Sequence, residues 1–505
     1  PGFIGYIYVL FKYDAIPSEL APMEDRRGFR VSLTMQEGAT FDFTDRYLQD
    51  FAKVVEDEVK VNERAALITI TAPGFSTNAT NTGFVRVVLS EPEMRQRSQM
   101  EIAEVIQGKI KKISGAKSFV LQDPTIQTGQ RGGSNFPVSY VIQATSYEKL
   151  RAVIPELMKR VNESPMFQGT DINLKFTKPE IRLEIDRDKA QNLGVSIQDI
   201  AQTLQLGLSG RRFGYFLMNG KQYQVIGQID RPDRNDLMDL KSLFVKSNRG
   251  ELIQLDNFVK LTEQSSPPQL FRFNRSSAAT VTAGLTKGVT LGKALEEMDR
   301  IAKGVLDETY TTALDGQSRE FKDSSSSLLF AFALALVLIY LILAAQFESF
   351  IDPVIILLTV PLAVCGALLS LWDFSQTLNV FSQIGIITLV GLVTKNGILI
   401  VEFANQRKET GLSTLQAVTE AAAARFRPIV MTSLCAILGI LPIALALGAG
   451  SESRVSMGIS VVGGLLFSTI LTLYIIPAIY SYLSRTHKPN PDEAAHKKLL
   501  AQEQA

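Results

Sequence analysis

Lys395 is the residue whose chemistry is hardest to explain by ordinary folding. It sits in Gly385-Ile386-Ile387-Thr388-Leu389-Val390-Gly391-Leu392-Val393-Thr394-Lys395-Asn396-Gly397-Ile398-Leu399-Ile400-Val401-Glu402, with Val380 and Phe381 before the run and Phe403 and Ala404 after it. That stretch is long enough to cross a bilayer. An ammonium at such a depth costs roughly 3 kcal/mol or more unless it is paired or meets a polar cavity. Lys395 is more than two turns from either end of the run, too far to snorkel. The nearest acid, Glu402, is about two turns away, near the span's end. The segment therefore holds one half of a charge relay. A lysine paired with carboxylates is released when they take protons, which converts proton occupancy into helix movement. Other chemistry finds little support. The only histidines are His487 and His496, in the C-terminal tail, and no nucleophile–base or metal-ligand constellation stands out, so neither enzyme activity nor a cofactor is expected.

The elements that must position Lys395 are helices in a bilayer. Hydrophobic residues make up 46% of the 505, and they concentrate in residues 326–484. Five spans are predicted, Ser327 to Ala345, Pro353 to Leu371, Val380 to Ala404, Pro428 to Leu447 and Met457 to Leu483. Arg407, Lys408, Arg425 and Arg427 lie between the third and fourth, and Arg485, Lys488, Lys497 and Lys498 follow the fifth. Between the second and third there is no basic residue, and between the fourth and fifth only Arg454. The positive-inside rule makes the tail cytoplasmic and puts residues 13–325 on the other side. Gly2 to Phe11 reads as the end of a membrane helix whose beginning is missing. Gly458, Gly463 and Gly464 predict close helix packing. Lys and Arg number 52 against 51 Asp and Glu, a net charge of +1 that gives no reason to expect nucleic acid. The two cysteines, Cys365 and Cys435, both lie in apolar segments.

The region before the spans contains a repeat. Phe29 to Met35 alternates as a strand, Thr44 to Lys60 has helical spacing, Ala65 to Thr71 and Phe84 to Leu89 are strands, and Gln99 to Ile113 is a helix. Ser118 to Leu121 closes a β-α-β-β-α-β unit, the ferredoxin-like pattern. The pattern recurs as Val138 to Ala144, Tyr147 to Val161 and Ile172 to Phe176, then Ala278 to Leu285, Leu291 to Val305 and Tyr310 to Leu314. The insertion between its halves has a helix near Ile197 to Leu206 and strand-like runs such as Gln222 to Ile229. It reads as an interaction surface.

Four segments carry a resemblance: Gly391 to Ala404; Arg425-Phe426-Arg427-Pro428-Ile429-Val430-Met431-Thr432-Ser433; Lys189-Ala190-Gln191-Asn192-Leu193-Gly194-Val195-Ser196; and Gly448-Ala449-Gly450-Ser451. Together they resemble the C-terminal half of the resistance-nodulation-division superfamily, in its hydrophobe/amphiphile efflux branch. The resemblance covers nearly the whole chain. It implies a membrane α-helical bundle plus an α+β periplasmic region with ferredoxin-like porter subdomains. The implied layout is the end of a truncated membrane helix (1–12), a first porter subdomain (13–135), a second (136–180 and 271–320), an inserted docking subdomain (181–270), five transmembrane helices (321–485) and a cytoplasmic tail (486–505).

The implied activity is drug/proton antiport at the bacterial inner membrane, in a homotrimer working with a periplasmic adaptor and an outer-membrane channel. Lys395 matches the family's relay lysine, with Asn396 beside it, and Arg425 and Thr432 match its relay arginine and threonine. The last two are seven apart, hence on one helix face with Thr432 about 10 Å deeper. Arg425 reads equally as a cytoplasmic anchor. The family's paired aspartates belong to the N-terminal half, on the same or a separate chain. Glu348, Asp352 and Asp373 all fall at span ends, so this polypeptide alone is expected not to run the proton cycle. For amphiphilic substrates, Gly74-Phe75 with Asn81-Thr82-Gly83 resembles the switch loop, and Ile68, Ile70 and Phe136 fall near pocket positions. Ile68 and Arg86 stand where the best-known pump has aromatic residues, and core packing is an equal reading of Ile68 and Ile70. Two alternatives are another export auxiliary of the superfamily, for protein or lipid, and a truncated membrane-anchored interaction module.

Overall fold

The structure is a computed structural model that describes residues 16–73, 79–127, 136–234, 237–286, 288–447 and 450–484. The first unit runs β1 (Gly28–Thr34), α1 (Phe41–Glu58), β2 (Arg64–Thr71), β3 (Thr82–Leu89), α2 (Gln99–Ile110) and β4 (Lys117–Gln122). Its antiparallel sheet has the order β2-β3-β1-β4. Strand alternation divides the two faces. Phe29, Val31, Leu33, Val85, Val87 and Leu89 point into a core completed by Leu48, Phe51 and Val55 of α1 and Ile102 and Ile106 of α2. The opposite face is free of both helices. Thr40 caps α1, and Ser98 with Glu101 forms a reciprocal capping box on α2.

The same order of events follows with β5 (Val138–Ala144), α3 (Tyr147–Glu163) and β6 (Phe167–Ile172). Here the expected strand Ile172 to Phe176 lies earlier than its alternation suggested. Gly169 takes a left-handed φ of 65°, and the pairing of β6 shifts register between Thr282 and Gly284 of its partner. A bulge of this kind breaks period-two alternation, so Phe167 and Ile172 are both buried though five residues apart.

The insertion is a separate compact unit, residues 174–270. It contains β7 (Lys178–Ile185), α4 (Arg187–Asn192), α5 (Ile197–Leu204), β8 (Arg211–Met218), β9 (Lys221–Gly227), α6 (Leu237–Lys241), β10 (Phe244–Lys246), β11 (Leu252–Gln254) and β12 (Val259–Ser266). β7 and β12 pair along their full lengths. Ala190, Val195, Ile200, Val245, Leu255 and Phe258 form its core. The β8–β9 hairpin turns at Asn219 and Gly220, both at positive φ, as a two-residue loop requires.

The second sheet resumes with β13 (Arg272–Phe273), β14 (Ser276–Leu285), α7 (Leu291–Lys303) and β15 (Thr311–Leu314). β14 pairs with β6 and β5, and β5 with β15. The order β6-β14-β5-β15 therefore repeats that of the first sheet.

The chain then enters α8 (Gly316–Phe347), α9 (Asp352–Leu357), α10 (Thr359–Asp373), α11 (Val380–Glu409), α12 (Thr414–Ala444) and α13 (Glu452–Leu483). Taking α9 and α10 as one span, five helical segments among the described residues are long and apolar enough to cross a membrane. The helix expected over Pro353 to Leu371 is broken at Leu358. Pro361 has no N–H to give the carbonyl of Leu357, four residues back, and its ring crowds that turn. Helices α8 and α12 start well before Ser327 and Pro428, where the apolar runs begin, because polar turns continue them beyond the apolar zone. α13 packs against α10, α11 and α12. A Cβ on Gly463 would strike Ser370, and one on Gly458 would strike the backbone of Ala444, so close helix approach needs both glycines.

Successive helix ends alternate between the two ends of the bundle. Segment 17–24, leading into β1, bonds Leu378 and Val380 after α10 and reaches Ser453 at the start of α13. The N-terminal turn of α8 is fixed to the second sheet by Ser318, which donates to Pro137 O and accepts from Ser139 N. At the opposite bundle end, Lys408 donates to Ser484 at 2.9 Å.

Candidate functional site

Three helices build the site. α11 is capped by Asn379, whose side chain accepts from Phe381 N and Ser382 N while Ser382 reaches back to Asn379 N. This fixes the start of the helix that carries Lys395 four turns further on. Its neighbour Asn396 is 2% exposed, and its Nδ2 donates to Ser433 Oγ at 3.3 Å. Ser433 Oγ also accepts from Thr469 Oγ1 at 3.0 Å. A buried hydrogen-bonded chain thus ties α11, α12 and α13 together at the level of Lys395. In an apolar bundle each of these groups needs its partner, since an unpaired one would bear the full desolvation cost.

Lys395 stands out by contrast. Its side chain is exposed and has no ion-pair or hydrogen-bond partner among the described residues. Glu402 instead accepts from Gln406, at 3.0 Å. Asp352 is buried but accepts from Asn405 Nδ2 at 3.1 Å, and Asn405 lies ten residues beyond Lys395, about 15 Å along the helix. Tyr480 donates to the other side of Asn405. Glu402 and Asp352 are thus engaged away from the lysine.

Arg425 is half-buried on α12, its guanidinium carbon 4.7 Å from the ring centroid of Phe403 on α11. Its Nε is buried without a hydrogen-bond partner. Arg407 lies 5.0 Å from the same ring and pairs with Glu420 at 3.6 Å. Stacking on an aromatic face holds a guanidinium without neutralising it. Thr432 is half-buried and donates to Ile429 O of its own helix at 3.2 Å. The structure thus brings Asn396 into contact with α12 through Ser433, while no side-chain hydrogen bond joins Lys395 to Thr432, which donates within its own helix. Ser433 and Thr469 were missed as members of the polar chain. Ser433 closes the motif that begins at Arg425, but a lone serine or threonine in an apolar helix usually bonds its own backbone, so sequence gave no signal for a cross-helix partner.

On the first sheet, Ile68 is 47% exposed and Ile70 half-buried, both on the face that lacks helices. Phe136 meets Phe119 of β4 edge-to-face at 5.6 Å. Phe75 and Gly74 lie outside the described residues, as do Gly448 and Ala449.

With this geometry in view, the known proteins decide the family. The family described as AcrB/AcrD/AcrF matches residues 3–484. The chain belongs to the AcrB/AcrD/AcrF family. Among relatives of this family member, a Haemophilus influenzae protein described as an uncharacterized transporter is 32% identical over 489 residues, 95% of this chain and 46% of that protein. Multidrug resistance protein MdtC of Salmonella typhi is 30% identical over 487 residues, 96% of this chain and 47% of its own length. MdtC of Salmonella paratyphi C is 29% identical over the same span. The chain spans about half the length of the curated relatives it matches.

Proposed function

We propose that these 505 residues are the C-terminal half of a proton-driven inner-membrane exporter of amphiphilic compounds, working by drug/proton antiport. It is a secondary active transporter, not an enzyme. The observation that carries this reading is Lys395, a cation in a membrane helix with no partner among the described residues. Such a charge is retained only for a task. The acids that pair with it belong to the N-terminal half, as in the family. Asn396, Arg425 and Thr432 complete the relay. Arg425, held by stacking rather than by a carboxylate, remains available to one.

Residues before the spans are read as periplasmic. The β2-β3-β1-β4 order with two helices on one face, repeated in the second sheet, supports ferredoxin-like porter subdomains. Ile68, Ile70, Phe136 and Phe75 line the drug route. The unit of residues 174–270 is read as the docking subdomain. A homotrimer, a periplasmic adaptor and an outer-membrane channel complete the assembly.

The test is dye efflux by the native transporter in proteoliposomes under an imposed pH gradient. Lys395→Met is expected to abolish gradient-driven efflux while leaving dye binding in place. Unchanged efflux would refute the relay.

A further inference from the structure

Register places two guanidinium groups side by side on the helix-free face of the first sheet. Arg30 of β1 pairs directly with Arg86 of β3. Arg86 in turn opposes Ile68 of β2, and Arg30 opposes Leu121 of β4. One transverse row across all four strands therefore reads Ile68, Arg86, Arg30, Leu121. Two residues along, about 7 Å away, the next row reads Ile70, Phe84, Ser32, Phe119, and Phe136 leans on its end. A basic row lies beside an apolar, aromatic one.

The basic row is not explained by folding. Like charges directly opposite on neighbouring strands are destabilising. Among the described residues one carboxylate answers them: Arg86 pairs with Asp123 at 2.7 Å. The Arg30 guanidinium makes no hydrogen bond to any described residue, and its Nε is shut off from water with no partner. Its guanidinium rests 5.6 Å from the Phe84 ring centroid. Burial lowers its pKa, Asp123 opposes that shift and Arg86 adds to it. Two cations against one anion leave an unanswered positive charge at the border of an apolar strip.

We propose that this face selects anionic amphiphiles, with Arg30 and Arg86 taking a carboxylate, sulfate or sulfonate head and Phe84, Ile70 and Phe119 its apolar body. The inference rests on reading this face as part of the transport route. A guanidinium offers planar paired donors that match such heads, and a semi-buried, charge-assisted contact is stronger than a neutral one. The occupant is a small amphiphile and not a membrane phospholipid.

The test measures dansyl fluorescence on the native transporter in phosphatidylcholine nanodiscs, with dansyl-aminoundecanoate and its neutral carboxamide as probes. The carboxylate is expected to bind roughly tenfold more tightly than the carboxamide. Arg30→Gln with Arg86→Gln should reduce it to the carboxamide level, the double lysine variant should keep most of the preference, and carboxamide binding should not move. If the double glutamine variant does not fold, Arg30→Gln alone carries the test, because that guanidinium has no hydrogen bond to lose. Equal binding of both probes, lost with Phe119→Ala, overturns anion selection and leaves the transport route standing. Binding of neither probe, or binding indifferent to Phe119→Ala, overturns the route itself. Displacement of the carboxylate by phosphatidylglycerol added to the discs would make the site one for lipid headgroups and would also overturn the proposal.

Discussion

Lys395 and Asn396 are adjacent in sequence and opposite in circumstance. Asn396 is sealed among α11, α12 and α13, and Lys395 faces out of that contact. The α-helical turn of about 100° per residue is enough to separate them. Ser433 is the pivot of the buried chain, because it accepts from both Asn396 and Thr469. Ser433→Ala strands two buried donors at once and should destabilise the bundle by about 1–3 kcal/mol, read as a lower melting temperature of the purified transporter. Asn396→Ala removes a single donor and should cost less. On the relay reading, Lys395→Arg keeps the charge but changes its shape, and gradient-driven efflux should fall well below wild type.

At the scale of elements, segment 17–24 joins the first sheet to the helix ends, and it carries a half-buried acid. Thr377 Oγ1 donates to Glu19 Oε1 at 2.6 Å. Burial raises the Glu19 pKa, only partly offset by that hydrogen bond. A carboxyl whose folded pKa exceeds its unfolded value favours folding most below the unfolded pKa. That contribution is lost as pH rises through the folded pKa. Glu19→Gln should therefore leave the melting temperature unchanged near about pH 4 and raise it near about pH 8. A loss at both pH values would mean that the Thr377 bond outweighs desolvation. In the core under the first sheet, Phe51→Ala empties a fully buried site and should cost about 3–5 kcal/mol in denaturant unfolding. Pro361→Ala restores the N–H missing opposite Leu357, and should close the break between α9 and α10, seen as added helical signal in circular dichroism.

For the whole molecule, the balance of charge in the bundle is the informative quantity. Lys395 has no described acid to meet, and the chain covers 46–47% of its relatives' lengths. These 505 residues alone, placed in vesicles under a pH gradient, should give no dye efflux. Efflux from them would sink the proposal that acids of another half complete the relay. Helix α8 fits the same view. Leu329, Phe330, Leu334, Val337, Leu341 and Ile342 are all exposed along it, an apolar face suited to lipid or to further helices.

Several features were legible in the residues themselves. An isolated lysine in an apolar run is expensive at any orientation, so Lys395 is legible as a candidate functional residue from the sequence. Span number and alternation of sides followed from hydropathy and from where Arg and Lys collect, since a bilayer enforces both. The repeated β-α-β-β-α-β order followed from period-two and helical spacing. Other features required three dimensions. The bulge at Gly169 moved β6 because a bulge erases the alternation by which strands are read. The Asn396–Ser433–Thr469 chain joins residues from three helices, and no local pattern encodes which hydroxyl faces which. The Arg30–Arg86 pair is likewise a matter of register. The two residues stand far apart in sequence, and only hydrogen bonding between β1 and β3 makes them neighbours, because a shift of one residue would have turned one of them to the other face.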